Sequence, residues 1–267
     1  MDNLTKSLNY LINPQHPITI NLIGCGATGS EVIRHLAKMN GALHALGHAG
    51  FHVVASDPDT IGIENIYRQP FTEQELGLNK ASQLISKINR SFGTQWQSTY
   101  LDWNLKKGER MPKSHCANIT ISCVDKVPVR KQIQDAFHRQ QPAYGNHSNP
   151  IFWIDFGNGF DFGQVVLMDI FEMPENRKNT PEKFKSILDI YPDMQDHAEE
   201  PSCSLAVSLG RQDLFINSIL ADLGMRMLWN ILRTASITKN AIFVNMKNDN
   251  PVRYALMLKA PIVNKSA

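Results

Sequence analysis

The chain has 267 residues, of which 27 are Lys or Arg and 25 are Asp or Glu, so the formal net charge is only +2. This balance gives no reason to expect nucleic acid as a partner. No apolar run reaches the roughly 18 residues of a membrane span, so no membrane partner is expected either. The polar residues 1–17 also lack the pattern of a signal peptide.

The four cysteines show no paired spacing; they are Cys25, Cys116, Cys123 and Cys203. Scattered cysteines of this kind predict a reducing, cytoplasmic setting without disulfides. Because the sequence has no Cys-x-x-Cys pair, no structural zinc of the type built from two such pairs is expected.

A strand, a glycine turn, a helix and a second strand follow one another early in the chain, after a short helix predicted over residues 1–12. These segments are Ile18–Ile23, Gly24–Gly29, residues 28–39 and Phe51–Ser56, with the helix end and a loop over residues 40–50. The unbroken apolar run of the first strand is typical of a strand buried on both faces.

The glycine turn has the pattern Gly-x-Gly-x-x-Gly, formed by Gly24, Gly26 and Gly29. Between a buried strand and a helix, such a turn lets backbone N–H groups approach a phosphate, so it predicts nucleotide binding. Asp57 ends the second strand and can bind a ribose hydroxyl. Asp59 has two interpretations, contact with nucleotide or metal and simple turn chemistry.

The later elements continue the alternation of helices and strands and end in hairpins. Predicted helices cover residues 79–89, 129–140 and 205–232, and predicted strands cover 95–100, 117–124, 151–156, 164–170, 241–246 and 252–258. The hairpin of the third and fourth of these strands is expected to turn around Gly157-Asn158-Gly159. The order predicts an α/β, Rossmann-like three-layer fold with a mixed, mainly parallel sheet and C-terminal hairpins. We expect one domain over residues 1–267, with a crossover segment at about 173–210.

The segment after the second strand favours ATP over a dinucleotide. It contains Asn65, Arg68 and Gln69, and Lys80 opens the next helix. A dehydrogenase does not need this set, whereas Arg and Lys can hold the β- and γ-phosphates of ATP and stabilise charge as pyrophosphate leaves.

Taken together, the glycine turn, Asp-x-Asp, Asn-x-x-Arg-Gln and Gly-x-x-Lys-Ala resemble the ThiF/MoeB and ubiquitin-activating-enzyme superfamily. The finer resemblance is to the ThiF-type proteins of bacterial ubiquitin-like gene clusters, including the PRTRC-system type. In the superfamily, the residues that match Arg68 and Lys80 contact the triphosphate, and those that match Asn65 and Gln69 shape the site. The resemblance therefore implies ATP and Mg²⁺ as cofactors.

Asp125 follows the strand predicted over residues 117–124, where open α/β sheets place their ligands. The resemblance implies that this carboxylate holds magnesium, which suits one carboxylate together with phosphate oxygens, and helps to orient the reacting carboxylate. Arg130 stands where the superfamily commonly has an Arg. Its alternative interpretation is a charge on the helix surface.

The segment Glu199-Glu200-Pro201-Ser202-Cys203-Ser204-Leu205 resembles the Pro-x-Cys-Thr-Ile/Leu segment of ubiquitin-type activating enzymes, whose Cys forms a thioester. A thiolate at a helix start has a lowered pKa and attacks an acyl-adenylate readily, whereas Glu199 and Glu200 would raise that pKa. Cys25, inside the glycine turn, is predicted instead to be a small buried side chain. The catalytic residues implied are Cys203, Arg68, Lys80 and Asp125.

These residues imply an enzyme that adenylates the C-terminal glycine of a ubiquitin-like protein and passes it through Cys203 to a conjugating-type enzyme. The resemblance also implies a homodimer. In homodimeric bacterial members an arginine near the N-terminus reaches into the partner's ATP site, but the first arginine here is Arg34. Lys6 could replace it only as a point charge.

Two alternatives remain open from the sequence. In the first, the partner is a sulfur-carrier protein and the product a thiocarboxylate, although the missing Cys-x-x-Cys pairs argue mildly against it. In the second, the chain is an NAD-binding oxidoreductase or a nucleotide-binding scaffold, which fits the glycine turn and Asp57 but not the Asn-x-x-Arg-Gln segment.

Overall fold

The computed structural model describes residues 3–100, 115–139, 150–170, 184–196, 213–247 and 252–263. The strands within these residues are β1 (Ile18–Ile23), β2 (Phe51–Ser56), β3 (Gln97–Thr99), β4 (Ile119–Ser122), β5 (Phe152–Asn158), β6 (Phe162–Asp169), β7 (Ser236–Asn245) and β8 (Val252–Val263). They form one eight-stranded sheet in the order β3-β2-β1-β4-β5-β6-β7-β8. Strands β1 to β5 run parallel, and β6, β7 and β8 each pair antiparallel with the strand before.

The described helices are α1 (Asn3–Ile12), α2 (Ala27–Ala45), α3 (Lys80–Phe92), α4 (Val127–Arg139), α5 (Ile187–Ile190) and α6 (Ile216–Thr234). Helices α1, α2, α3 and α6 share one hydrophobic core with one face of the sheet. Helices α4 and α5 pack on the opposite face. The predicted α/β three-layer fold is therefore confirmed. Each helix in the described part of the chain is too short or too polar to cross a lipid bilayer.

Strand β1 contributes to the cores on both faces. Ile20 and Leu22 lie in the core beneath α2 and α6, whereas Ile23 lies in the core beneath α4 with Phe137 and Trp153. All three β1 residues are at most 4 % exposed. This double burial explains why the strand reads as an unbroken apolar run.

Several element boundaries differ from the sequence-based expectations. Helix α2 runs on to Ala45, through Gly41, because its stripe of apolar residues continues to Leu43 and is buried against the core. The hairpin does not turn at Gly157 and Asn158, since both lie in β5 and pair with β6. Of the three residues predicted to form that turn, only Gly159 lies in it.

The strand order reverses between β1 and β4, which lie side by side in the middle of the sheet. At such a switch point the connections leave to opposite faces and open a crevice at the carboxyl ends of the strands, where α/β proteins bind ligands. The glycine turn follows β1 and Asp125 follows β4, so the fold places both at this crevice.

Candidate nucleotide site

The three glycines of the turn are required for different reasons. Gly24 has φ +89°, and a Cβ there would lie 2.6 Å from the carbonyl oxygen of Cys123 at the end of β4. A Cβ on Gly29 would overlap the carbonyl oxygen of Gly24. Around Gly26, in contrast, a Cβ would meet nothing within 4 Å. Gly24 and Gly29 therefore allow the turn to close, while Gly26 leaves open space in front of the start of α2, where a phosphate can approach.

Asp57 links this turn to the end of β2. Its carboxylate accepts a hydrogen bond from the Cys25 N–H at 2.6 Å and another from the Asp59 N–H at 2.9 Å. Burial raises the pKa of the Asp57 carboxyl, although these two N–H donors oppose the rise. The carboxylate proposed to bind ribose thus also holds the phosphate turn in place.

Lys80 lies close to this cluster because α3 begins there. Its Nζ is 3.1 Å from Oδ2 of Asp59, and its side chain is 11 % exposed while that of Asp59 is 67 % exposed. A lysine whose side chain is buried and whose ammonium is ion-paired is not part of a solvated polar face. The Asp59 N–H donates to the Asp57 carboxylate, which is the local hydrogen bond expected of a turn. The ion pair between Asp59 and Lys80 also places a cation at the crevice.

Asn79 organises the approach of Lys80, and the sequence analysis gave it no role. Its Oδ1 accepts from the Ser82 N–H at 2.9 Å and caps α3. Its Nδ2 donates to the carbonyl oxygens of Asp57 and Asp59, at 2.7 and 3.1 Å. One amide therefore fixes the start of α3 against the loop after β2. An N-cap residue directly before the first helical residue is the signal that could have identified it.

We expect Asn79→Ala to destabilise the protein by about 2 kcal/mol. Loss of an N-cap alone costs about 0.5–2 kcal/mol, and here the buried carbonyl oxygen of Asp57 also loses its bond from Asn79 Nδ2. Urea denaturation followed by circular dichroism measures the change. An unfolding midpoint equal to that of the wild-type protein would contradict this account of Asn79.

The loop that carries Asn65, Arg68 and Gln69 is held by its own polar groups. Asn65 is 7 % exposed, and its Oδ1 accepts from the Gly62 N–H at 2.8 Å. Oε1 of Gln69 is buried and has no hydrogen-bond partner in the part of the chain that the structure describes. Arg68 is half-buried, and Tyr67 before it has the unusual φ of +67°. Asn65 thus shapes the loop, and a bound ligand could supply the donor that Gln69 lacks.

The end of β4 brings Asp125 beside the glycine turn. The Cys123 N–H donates to the carbonyl oxygen of Ile23 at 2.8 Å, so β4 stays paired with β1 up to the turn. Asp125 follows two residues later with an exposed side chain. Asp196 Oδ1 accepts from the Val127 N–H at 2.6 Å and so caps the start of α4.

Arg130 is not a charge on the helix surface. It is 4 % exposed and pairs with Asp155 of β5, which is 2 % exposed. Arg130 Nε lies 3.0 Å from Oδ2 of Asp155 and 3.2 Å from Oδ1. Asp155 Oδ1 also accepts from the Ser122 hydroxyl, which in turn accepts from Trp153 Nε1. Burial raises the pKa of Asp155, and the neighbouring guanidinium opposes the rise.

A set of amide and hydroxyl groups links α2 and α6 to the end of β5 at the same edge of the sheet. Thr28 Oγ1 and Asn158 Nδ2 both donate to Oδ1 of Asn217, at 2.7 and 3.0 Å. Thr28 belongs to the glycine turn, Asn158 ends β5 and Asn217 lies in the first turn of α6. These residues were not identified from the sequence, because Asn217 is 189 positions from Thr28 and 59 positions from Asn158 along the chain.

The described residues contain no group of three or more His, Cys, Asp or Glu side chains that could hold a metal ion. Asp125 alone nevertheless suits magnesium, because Mg²⁺ is often bound by one or two carboxylates together with phosphate oxygens and water.

Cys25 is fully buried, and burial raises the pKa of its thiol, which agrees with a small buried side chain rather than a nucleophile.

The structure thus brings together the glycine turn, Asp57, Asp59, Lys80 and the end of β4. Cys203, with its flanking Glu199 and Glu200, lies outside the described residues.

The model of the family described as the ThiF family matches residues 16–261. Among curated proteins, none matches this sequence significantly.

Solved structures of MccB from E. coli share the fold. MccB with ATP is 15 % identical to this chain, with a TM-score of 0.58 and coverage of 98 % of this chain and 74 % of MccB. MccB with AMPCPP and MccA is 16 % identical, with a TM-score of 0.57 and coverage of 97 % and 67 %. A structure of the microcin C7 biosynthetic enzyme MccB with N-formylated MccA is 16 % identical, with a TM-score of 0.54 and coverage of 99 % and 70 %. At these identities the likeness establishes the fold.

Proposed function

Since the chain belongs to the ThiF family, we propose that it uses ATP to adenylate the C-terminal carboxylate of a peptide or small protein. We further propose that this substrate is a ubiquitin-like protein that ends in glycine. One observation carries the proposal: the glycine turn, the cation of Lys80 and the loop of Asp125 converge on the crevice at the switch point of the sheet.

Different residues of the crevice contact different parts of ATP. The phosphates lie in the open space at Gly26, in front of the start of α2. The carboxylate of Asp57 accepts a hydrogen bond from a ribose hydroxyl. Arg68 and Lys80 hold the triphosphate, while Asn65 and Gln69 shape the loop around it. Such cations are placed where negative charge develops on the departing pyrophosphate.

Adenylation joins a carboxylate oxygen of the substrate to the α-phosphorus of ATP. The bond between the α-phosphorus and the bridging oxygen breaks, and pyrophosphate leaves with its electron pair. Asp125 is the residue that would hold magnesium, which supplies positive charge to the phosphate oxygens when bound. Lys80 would exchange its present partner, Asp59, for a phosphate oxygen.

We propose that Cys203 then takes the acyl group from AMP as a thioester. The thiolate sulfur forms a bond to the acyl carbon, the bond from that carbon to the phosphate oxygen breaks, and AMP leaves. A conjugating-type enzyme would accept the acyl group next. A homodimer in the cytoplasm is the setting that we propose for these steps.

The ends of the segment that contains Cys203 support this role. Asp196, before the segment, bonds to the Val127 N–H, two residues after Asp125. Asp213, after it, donates its N–H to the carbonyl oxygen of Phe160 in the β5–β6 turn at 2.8 Å. Cys203 is seven residues from Asp196, so a fully extended chain keeps it within roughly 25 Å of that anchor. Both described ends of the segment are therefore anchored at the edge of the sheet where we propose adenylation, which supports the choice of Cys203 as the nucleophile.

The test is ATP–pyrophosphate exchange with purified protein, magnesium and small carrier proteins that end in glycine. Exchange that depends on the carrier, and is lost when its terminal glycine is removed, is the expected result. Absence of exchange with every carrier, together with tight NAD binding, would overturn the proposal. If the carrier instead becomes a thiocarboxylate when a sulfur donor is added, the partner is a sulfur carrier.

Gly26 and Gly29 provide a matched pair of variants. Gly26→Ala should leave the free energy of unfolding nearly unchanged, because its Cβ meets nothing within 4 Å, yet weaken ATP binding at least about tenfold, or roughly 1.4 kcal/mol, by filling the phosphate approach. Gly29→Ala should destabilise the fold by about 1–3 kcal/mol, because its Cβ overlaps the backbone. Calorimetric titration with ATP and thermal denaturation measure the two effects. Unchanged ATP affinity in Gly26→Ala would place the phosphates elsewhere.

A further inference from the structure

We infer that Arg130, Asp155 and Asp196 are positioning residues that fix the loop carrying Asp125. This inference rests on the proposed adenylation, because it assigns these residues a task only through Asp125. Arg130 and Asp155 hold the loop from inside the protein, and Asp196 holds it from the surface.

The inner anchor is the guanidinium of Arg130. While Nε pairs with the Asp155 carboxylate, Nη2 donates to the carbonyl oxygens of Phe156, at 2.9 Å, and of Val124. Val124 is the residue before Asp125. Because Asp155 and Phe156 are neighbours in β5, one buried guanidinium ties the end of β4 to β5 at a fixed distance.

The outer anchor is the carboxylate of Asp196. Its Oδ1 accepts from the Val127 N–H at 2.6 Å, although Asp196 itself is exposed. The backbone is therefore held at Val124 and at Val127, with only Asp125 and Lys126 between the two anchors. Both of these side chains are exposed. A carboxylate that must meet magnesium and phosphate in water gains its fixed position from this backbone.

A buried ion pair is weak evidence for a role in stability, because apolar residues of similar volume often serve as well. What apolar residues cannot supply is the planar fork of arginine, which reaches a carboxylate and two carbonyl oxygens together. We therefore assign the Arg130–Asp155 pair the task of fixing the position of the end of β4, rather than that of stabilising the fold.

Asp196 gives the cleaner test because it is exposed. In Asp196→Ala we expect the maximal rate of carrier-dependent ATP–pyrophosphate exchange to fall about tenfold, since small misplacements of catalytic groups cost up to about 100-fold. The KM for ATP should stay within about twofold, because the glycine turn and Lys80 are untouched. Asp196→Asn keeps an acceptor oxygen and should restore most of the rate. Asp193→Ala, an exposed acid three residues earlier, is the control and should match wild type.

The inner anchor is tested with a double variant, Arg130→Met with Asp155→Asn. It removes both buried charges, while the amide oxygen introduced by the second substitution can still accept from Ser122. The melting temperature should therefore recover relative to Arg130→Met alone. The rate of ATP–pyrophosphate exchange should stay at least about tenfold low, because the Val124 carbonyl then lacks its arginine donor. A rate that recovers together with the melting temperature would show a structural role only.

A readout independent of activity completes the design. Hydrogen–deuterium exchange of a peptide spanning residues 123–128, measured without ATP, should speed up in Asp196→Ala and stay unchanged in Asp193→Ala. If neither the amide exchange nor the maximal rate changes in Asp196→Ala, the inference is overturned while the proposed function stands. If the wild-type protein shows no ATP–pyrophosphate exchange with any carrier and binds NAD tightly, the proposed function fails and the task assigned to Asp125 fails with it.

Discussion

Lys80→Ala is expected to lower the maximal rate of ATP–pyrophosphate exchange at least about 100-fold, since removing one preorganised group that stabilises transition-state charge typically costs about 100- to 1,000-fold. The ammonium of Lys80 is nearly buried at the crevice, where a low local dielectric strengthens its effect on a departing pyrophosphate. Asp59, its present partner, is 67 % exposed and can be hydrated when the lysine is lost. The fold should therefore tolerate the change, and initial rates at saturating ATP give the measurement.

Lys87 is the matched control, because it lies in the same helix and is also ion-paired. Its Nζ is 2.6 Å from Oε2 of Glu75 and 5.3 Å from the ring centroid of Phe71. Lys87→Ala should lower the melting temperature more than Lys80→Ala does, because it loses contacts that hold the loop before α3. Its exchange rate should nevertheless stay within about fivefold of wild type.

Lys80→Ala should thus be the more stable of the two lysine variants but the less active one. A rate in Lys80→Ala that falls only as far as that in Lys87→Ala would remove Lys80 from the adenylation chemistry. The remaining cation of the set, Arg68, would then have to hold the triphosphate.

Cys203→Ala should leave ATP–pyrophosphate exchange intact and abolish the thioester between the enzyme and its carrier. The adenylate forms at the crevice, so its formation does not need the thiol, whereas the second step has no other nucleophile in the proposal. The thioester is detected as a band on a nonreducing gel that a thiol reagent removes. This separation is expected to be complete rather than partial, because a nucleophile is replaced by a methyl group.

Cys116→Ala is the control for that experiment, since Cys116 is the half-buried cysteine away from the glycine turn and the end of β4. It should retain the full band. If the band persists in Cys203→Ala, another residue accepts the acyl group and the segment before α6 has been misassigned. Loss of exchange in Cys203→Ala would show instead that the segment contributes to adenylation itself.

The crevice at the switch point, and the residues that we propose to bind nucleotide there, could be predicted because their signals are local. Gly24, Gly26 and Gly29 stand between a buried strand and a helix, and the acidic residues Asp57 and Asp125 follow strands of the parallel sheet as expected. Asp57 and Lys80 could be identified because their spacing belongs to one continuous stretch, Ile18 to Lys80. The end of α2 was less predictable, since a glycine within the helix reads as a helix breaker but is tolerated where the helix is packed against a core.

The contacts that hold the crevice were not predictable from the sequence. The pairing of Arg130 with Asp155 joins positions 25 apart on a helix and a strand, and an arginine on a helix is usually a surface charge. The anchor of Asp196 on Val127 spans 69 positions. A hydrogen bond between α2 and α6 spans 189 positions. The pattern of residues along a short segment does not specify such partners, because each pair depends on how separate elements pack against one another.

The sequence by itself determined the α/β class and the glycine turn, and it supplied the residues that we propose for the adenylation site. These follow from conformational demands and chemistry within short segments, such as the open space needed in front of a helix N-terminus. Only the tertiary structure decided which side chains hold those residues in place, because burial turns Arg130 from a possible surface charge into the fixed centre of three hydrogen-bonding partners. A buried charge needs partners that are close in three dimensions, and local patterns along the sequence do not identify them.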